Sequence, residues 1–154
     1  MKAHIFGELI LKYINGRIWK IINPEQKFYA IVGEDELSLQ HYIIVSDGFN
    51  TDFASIPRFF WRILPPTGDG SKAEYGYAAV IHDWLYARHK TDRMTINRKF
   101  ADDVFLTLMI SLKVEKWKRN VMYRAVRMFG WAVWNKWEKR KDELEEQVKK
   151  YLPK

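Results

Sequence analysis

Tyr75-Gly-Tyr-Ala-Ala-Val80-Ile-His82-Asp83-Trp-Leu-Tyr86-Ala-Arg-His89 is the stretch from which the fold is read. At 100° per residue, Tyr77, Val80, Ile81 and Trp84 share one side of a helix, and Tyr75, Ala79, His82 and Tyr86 share nearly the opposite side, with Asp83 on the flank. A helix that is apolar on both sides must be covered on both sides. The sequence therefore predicts a central helix from Ala73 to about His89, capped by Ser71. His82 should then be enclosed, and an enclosed imidazole requires a partner or a purpose.

Upstream, the periodicity is that of strands. Leu9–Ile14 and Arg17–Ile22 flank Asn15-Gly16, the dipeptide suited to a type I′ hairpin turn, and Phe28–Val32 and Tyr42–Val45 are further β-branched and aromatic runs. A turn at Ser46-Asp-Gly48 delivers the chain to Thr51-Asp52. Ser55 then caps a short helix with Pro57 near its start and Arg58–Ile63 as its body, and Pro65–Gly70 ends it. Downstream, Thr95 caps a helix from Ile96 to Leu112, and a long helix runs from Val114 towards Tyr151 with a bend or break near Gly130. The expected class is α+β: a small N-terminal antiparallel sheet followed by a helical layer with a long C-terminal helix. Residues 1–137 are expected to form a single globular domain, and 138–154 a charged helical tail.

A length of 154 residues with 47% hydrophobic and 16% aromatic content suits one domain with a real core. No window is apolar enough to span a bilayer, and charges interrupt the N-terminus before a signal-peptide core can form, so host cytoplasm or a virion is the expected location. With no cysteine, any metal must use oxygen or imidazole ligands, which favours hard cations such as calcium or magnesium. Much of the net charge of +7 lies after residue 111, where Lys113, Lys116, Lys118, Arg119, Arg124, Arg127, Lys136, Lys139, Arg140 and Lys141 are interleaved with Trp117, Trp131, Trp134 and Trp137. Such a pattern suits nucleic acid, an anionic membrane surface or an acidic protein, and equally a solvated helix whose tryptophans pack inward.

In the helix after Thr95, Ala101, Phe105, Leu108, Met109 and Leu112 form the core stripe, with Asp102 at its edge and Asp103 pointing well away. Asp102 is therefore the carboxylate expected to meet His82, fixing its tautomer and raising its basicity. Asp52 and Ser55 are expected to join one polar cluster with His82 and Asp83, and Arg127 to close an ion pair with Asp52 or Asp83. The plainer alternative makes His82 a satisfied core histidine, and Asp52 and Ser55 turn formers and caps. His4, His41 and His89 have no metal-ligand spacing and read as surface or strand residues. Ser55 has no nucleophile elbow around it, and the chain has no P-loop, dinucleotide fingerprint or zinc spacing.

Four elements carry a resemblance: T-D-x-A-S-x-P (Thr51–Pro57), A-x-x-H-D-x-x-Y (Ala79–Tyr86), A-D-x-x-F (Ala101–Phe105) and Tyr123-Arg-Ala-Val-Arg127-Met-Phe-Gly130. Together, over roughly Phe49 to Trp131, they resemble an uncharacterised family of small proteins from tailed bacteriophages and prophages. The H-D-x-x-Y and A-D-x-x-F helices are also similar to the catalytic core of secreted, bacterial and parvoviral phospholipases A2. That likeness implies His82 as base, Asp83 as calcium ligand, Asp102 as orienting carboxylate and Tyr86 as its hydrogen-bond partner. Pro66-Thr-Gly68-Asp-Gly70 departs from the usual Y-x-G-x-G calcium loop, and the disulfides of secreted members are absent, as they are from the parvoviral ones.

Two functions are therefore expected from different classes. One is a bacteriophage structural or accessory protein, a small tail or neck component of the virion. The other is a calcium-assisted, phospholipase A2-like hydrolase acting on the host envelope. Beyond Trp137 the apolar residues thin to Leu144, Val148, Tyr151 and Leu152, the pattern of a helix leaving its own domain. The expected partners are accordingly other virion proteins or a second copy through the C-terminal helix, ahead of nucleic acid or membrane.

Overall fold

A computed structural model gives the fold and describes residues 1–16, 18–33, 40–52, 74–140, 145, 146 and 149. Among the described residues six strands precede three helices: β1 (Lys2–Phe6), β2 (Ile10–Asn15), β3 (Ile18–Ile22), β4 (Tyr29–Gly33), β5 (His41–Ile44), β6 (Asn50–Thr51), α1 (Glu74–Arg88), α2 (Arg98–Ser111) and α3 (Lys116–Glu138). The α+β class, with strands first and the long helix last, is as the sequence predicts. The expected short helix around Arg58–Ile63, its cap Ser55, the Pro65–Gly70 loop and Ser71 lie outside the described residues.

In place of one sheet there are two antiparallel three-stranded sheets, ordered β1-β4-β5 and β2-β3-β6. A buried Asn23 joins them where β3 ends. Its amide donates to the carbonyls of Phe28 (3.0 Å) and Val45 (2.7 Å), its carbonyl accepts the Phe28 N–H (3.0 Å), and its own N–H reaches Asp47 (2.6 Å). From the end of β3 in one sheet, its side chain thereby satisfies backbone groups beside β4 and β5 of the other, which alternating patterns do not reveal. Asn23→Ala would strand these groups in the interior, and a loss of about 2 kcal/mol in urea denaturation is expected. A change below a few tenths would show the junction to be held by something else.

The hairpin forms, but Asn15 belongs to β2 and not to the turn, and Arg17 lies outside the described residues. Asn15 pairs with Ile18, the register shifts between Tyr13 and Asn15, and only Gly16 of the dipeptide has positive φ (50°). The bulge takes up the extra residue, so the predicted type I′ turn at Asn15-Gly16 is replaced.

α1 is the hub, buried along almost its whole length and packed on α2 and α3. Ile81, Leu85 and Tyr86 have no exposure, and they share one core with Ile21, Phe28, Val45, Phe105, Leu108, Met109 and Met122. α2 is capped by Asn97, which accepts the Phe100 N–H at 2.9 Å, and not by Thr95. Thr95 is held in a bridge with Lys90, inside a loop closed by Thr91 N–H to the Met94 carbonyl and Ile96 N–H to the His89 carbonyl, so the helix starts only beyond it.

α3 runs through Gly130 without a break and ends at Glu138, well short of Tyr151. Trp137 is the last described hydrophobic side chain packed against the core, and the Arg140 guanidinium rests on its ring. Nor do the residues that follow simply leave the domain: Glu145 pairs with Lys90 at 3.0 Å. His89 is not a surface residue, as expected, but a buried one with φ +54°, stacked on Trp134 (centroids 3.8 Å) and paired with Glu138. No helix among the described residues is long and apolar enough to cross a membrane.

Candidate functional site

His82, on α1, and Asp102, on α2, face each other because both helices turn their apolar stripes to the same core, and neither side chain has any exposure. His82 Nε2 lies 2.9 Å from Asp102 Oδ1, and the Tyr86 hydroxyl, one turn along α1, donates to the same oxygen at 2.6 Å. The other carboxylate oxygen accepts from Arg127 on α3 at 2.6 Å and from Arg98, one turn back on α2, at 3.3 Å. Arg98 also donates to the Val126 and Arg127 carbonyls of α3, both at 3.1 Å. A single carboxylate thus joins three helices, and its two oxygens take four donors, which is close to the capacity of the group.

Burial alone would push the Asp102 pKa up. The hydrogen bonds from His82, Tyr86 and Arg127 outweigh it, and the carboxyl is held below its ordinary value. Burial, reinforced by the Asp102 charge, drives the Tyr86 phenol far up, and the bond to Asp102 raises Arg127. Asp102 is therefore a carboxylate throughout the neutral range, with His82 Nε2 as its N–H donor. That tautomer leaves Nδ1 with the lone pair. Nδ1 is buried and has no hydrogen-bond partner among the described residues. The His82 ring is packed by Phe105 (4.7 Å, 28°) and Tyr86 (4.2 Å).

Asp83 points elsewhere, accepting the Thr51 hydroxyl at 2.5 Å. Thr51 is buried, whereas Asp52 is exposed, so the loop reaches α1 through Thr51 and not through Asp52 as expected. Pairing with Trp19 turns Thr51, the last residue of β6, inward, and Asp52 follows it on the exposed side. Arg127 pairs with Asp102 and not with Asp52 or Asp83, since α3 lies against α2 where Asp102 emerges. Asp103 does not simply point away, for it accepts from Tyr123 of α3 (2.7 Å) and from Lys99 (2.5 Å). Burial and the Asp103 bond push the Tyr123 phenol up to about 12.

Ser55 lies outside the described residues. Sequence reasoning missed Arg98 and Thr51. Arg98 stands at i−4 from Asp102, a spacing that signals a helical ion pair. It also missed the role of Gly130, where α3 approaches so closely that a Cβ would overlap the Tyr86 hydroxyl.

As chemistry, the cluster can orient an imidazole, and it can lock three helices. Metal binding is poorly provided for. Among the described residues no three histidine, aspartate or glutamate side chains are grouped to hold an ion, and one Asp83 oxygen is committed to Thr51. The Pro66–Gly70 stretch that would supply calcium-binding carbonyls lies outside the described residues.

A family model described as protein of unknown function (DUF1353) matches residues 31–126, which includes α1, α2, Asp102 and the first half of α3. No curated protein and no solved structure matches the chain.

Proposed function

The chain belongs to the DUF1353 family, whose function is unknown, and from that premise we propose that it is a bacteriophage structural or accessory protein, a small tail or neck component of the virion. The observation that carries this reading is the sealing of the site: His82, Tyr86 and Asp102 have no exposure, and Asp102 has its acceptors filled from all three helices. A catalytic base must be reachable by the bond it acts on, whereas a cluster that fixes helix packing is best closed. Support also comes from the elements that resemble tailed-phage and prophage proteins. His82, Tyr86 and Arg127 bond to Asp102, while Phe105 packs on the His82 ring and Gly130 on Tyr86, which gives three of those four elements a packing role that needs no substrate.

One observation favours the calcium-assisted hydrolase instead. His82 Nδ1 carries a lone pair with no partner among the described residues, on a ring oriented through Nε2 by Asp102 and Tyr86, which is how a water-activating histidine is prepared. Thermal melting during a calcium titration separates the two. A ligand that binds only the folded state raises the midpoint in proportion to ln(1 + [L]/Kd). The structural reading expects an unchanged midpoint up to millimolar calcium and the chain present at fixed stoichiometry in purified particles. A rise of several degrees that Asp83→Asn abolishes, with ester release from phospholipid vesicles, would replace it with the hydrolase.

A further inference from the structure

The cleft between β5 and the C-terminal end of α1 lies apart from the buried cluster. It encloses about 180 Å³ and is lined by Tyr42, Ile44, Ser46, Trp84, Arg88 and Lys90, among others. Arg88, at the last turn of α1, is half-buried with its guanidinium on the Trp84 ring (5.5 Å), and no carboxylate among the described residues lies within ion-pair distance of it. A partly desolvated guanidinium without an anion is a costly arrangement, and burial depresses its pKa accordingly. Lys90 stands beside it, and its ion-pair partner is the exposed Glu145, whose charge also acts on Arg88. The chain's own acidic residue therefore already sits at the rim, as a weak, solvent-exposed pair.

The other wall is a sheet edge. β5 ends the order β1-β4-β5, and the Tyr42 N–H points away from β4 and donates to the Asp92 carboxylate at 2.9 Å. Two residues on, the Ile44 N–H points the same way, into the cleft. Asp92 is the acidic group at the mouth, and it is committed to Tyr42 and lies near Arg93 (3.5 Å). Tyr42 and Ile44 are each 39% exposed along this edge.

We propose that this cleft is a carboxylate-binding site for an extended peptide segment of a partner protein, which adds to the open edge of β5 and sets an acidic side chain or chain terminus on Arg88, with Lys90 as the second cation. Backbone pairing supplies the β5 contact, and the planar guanidinium supplies bidentate recognition of the carboxylate. Entry displaces Glu145 from Lys90, so the tail acts as a built-in competitor. The site stands independently of whether the buried cluster is structural or catalytic.

The test uses the full-length chain labelled with ¹⁵N and an N-acetylated hexapeptide of alternating valine and threonine ending in a free aspartate. Saturable shifts are expected at the Ile44 amide and the Arg88 Nε–H. Arg88→Gln should weaken binding about tenfold or more, Arg88→Lys should fall between, and Glu145→Gln should tighten it about threefold. The same peptide with both carboxyl groups converted to amides should not saturate. Should Arg88→Gln fail to fold, Glu145→Gln and the amidated peptide decide the matter on an intact site. Equal binding of the acidic and amidated peptides overturns the proposal. So does acetate shifting Arg88 while the peptide leaves Ile44 unmoved, or Glu145→Gln leaving the affinity unchanged.

Discussion

Asp102→Ala should cost about 4 kcal/mol in urea denaturation at neutral pH, because removing one partner of a buried ionic network leaves the others in the interior without compensation. The guanidiniums of Arg127 and Arg98 would lose the carboxylate they share, and His82 Nε2 and the Tyr86 hydroxyl would lose their acceptor. Asp102→Asn should recover a part, since one amide oxygen still accepts but the negative charge is gone. The pH dependence follows from the same bonds. The folded-state carboxyl sits below its unfolded value, so in the interval between the two the unfolded chain holds more protons and stability rises with pH. The contribution is therefore fully present above about pH 4, the unfolded value for aspartate, and is lost as pH falls through the lower folded value. The wild type should lose stability on acidification in that window, and the asparagine variant should give a flatter curve. A cost under about 1 kcal/mol for the alanine variant would mean the cluster is not what holds the helices.

Much of this architecture was legible because hydrophobic periodicity is a local signal. The two-sided apolar pattern of residues 75–87 predicted an enclosed helix, and α1 is buried along that length. The same arithmetic brought His82 to Asp102, since two stripes that face one core must meet along their edges. What was not legible depends on tertiary geometry. Arg127 lies on the Asp102 side of α3 only because of how α3 crosses α2, so its partner was misread. Thr51 ends a strand of two residues and Asp52 lies just beyond it, and which of them faces inward is decided by the pairing of Thr51 with Trp19. Asn23 bridges backbone groups that are 5 and 22 residues distant, a connection no window contains. The helix from Val114 was drawn as continuous for a related reason. Spacings of three and four among sparse apolar residues suggest a helical face, and Glu145, Glu146 and Lys149 are indeed helical, but they do not reveal that α3 itself ends at Glu138.

Gly130→Ala should also be strongly destabilising, by about 3 kcal/mol, although an alanine in an open helix stabilises by roughly 0.5–1 kcal/mol relative to glycine. The sign is decided by what the methyl would meet. A Cβ at Gly130 overlaps the Tyr86 hydroxyl oxygen and stands 3.2 and 3.3 Å from two carbons of its ring. The tip of a flexible side chain could step aside, but this ring is fully buried, edge-on to Trp134 at 5.2 Å and against His82 at 4.2 Å. Relief therefore requires either moving α3 outward or pulling the hydroxyl from Asp102, and both weaken the cluster. A double-mutant cycle makes the cause testable. Tyr86→Phe alone should be destabilising, because Asp102 loses a donor. Combined with Gly130→Ala it should cost clearly less than the sum of the two, because the atom that collides is the atom removed. Simple additivity in urea denaturation would show that the glycine is needed for some reason other than the approach of α3 to Tyr86.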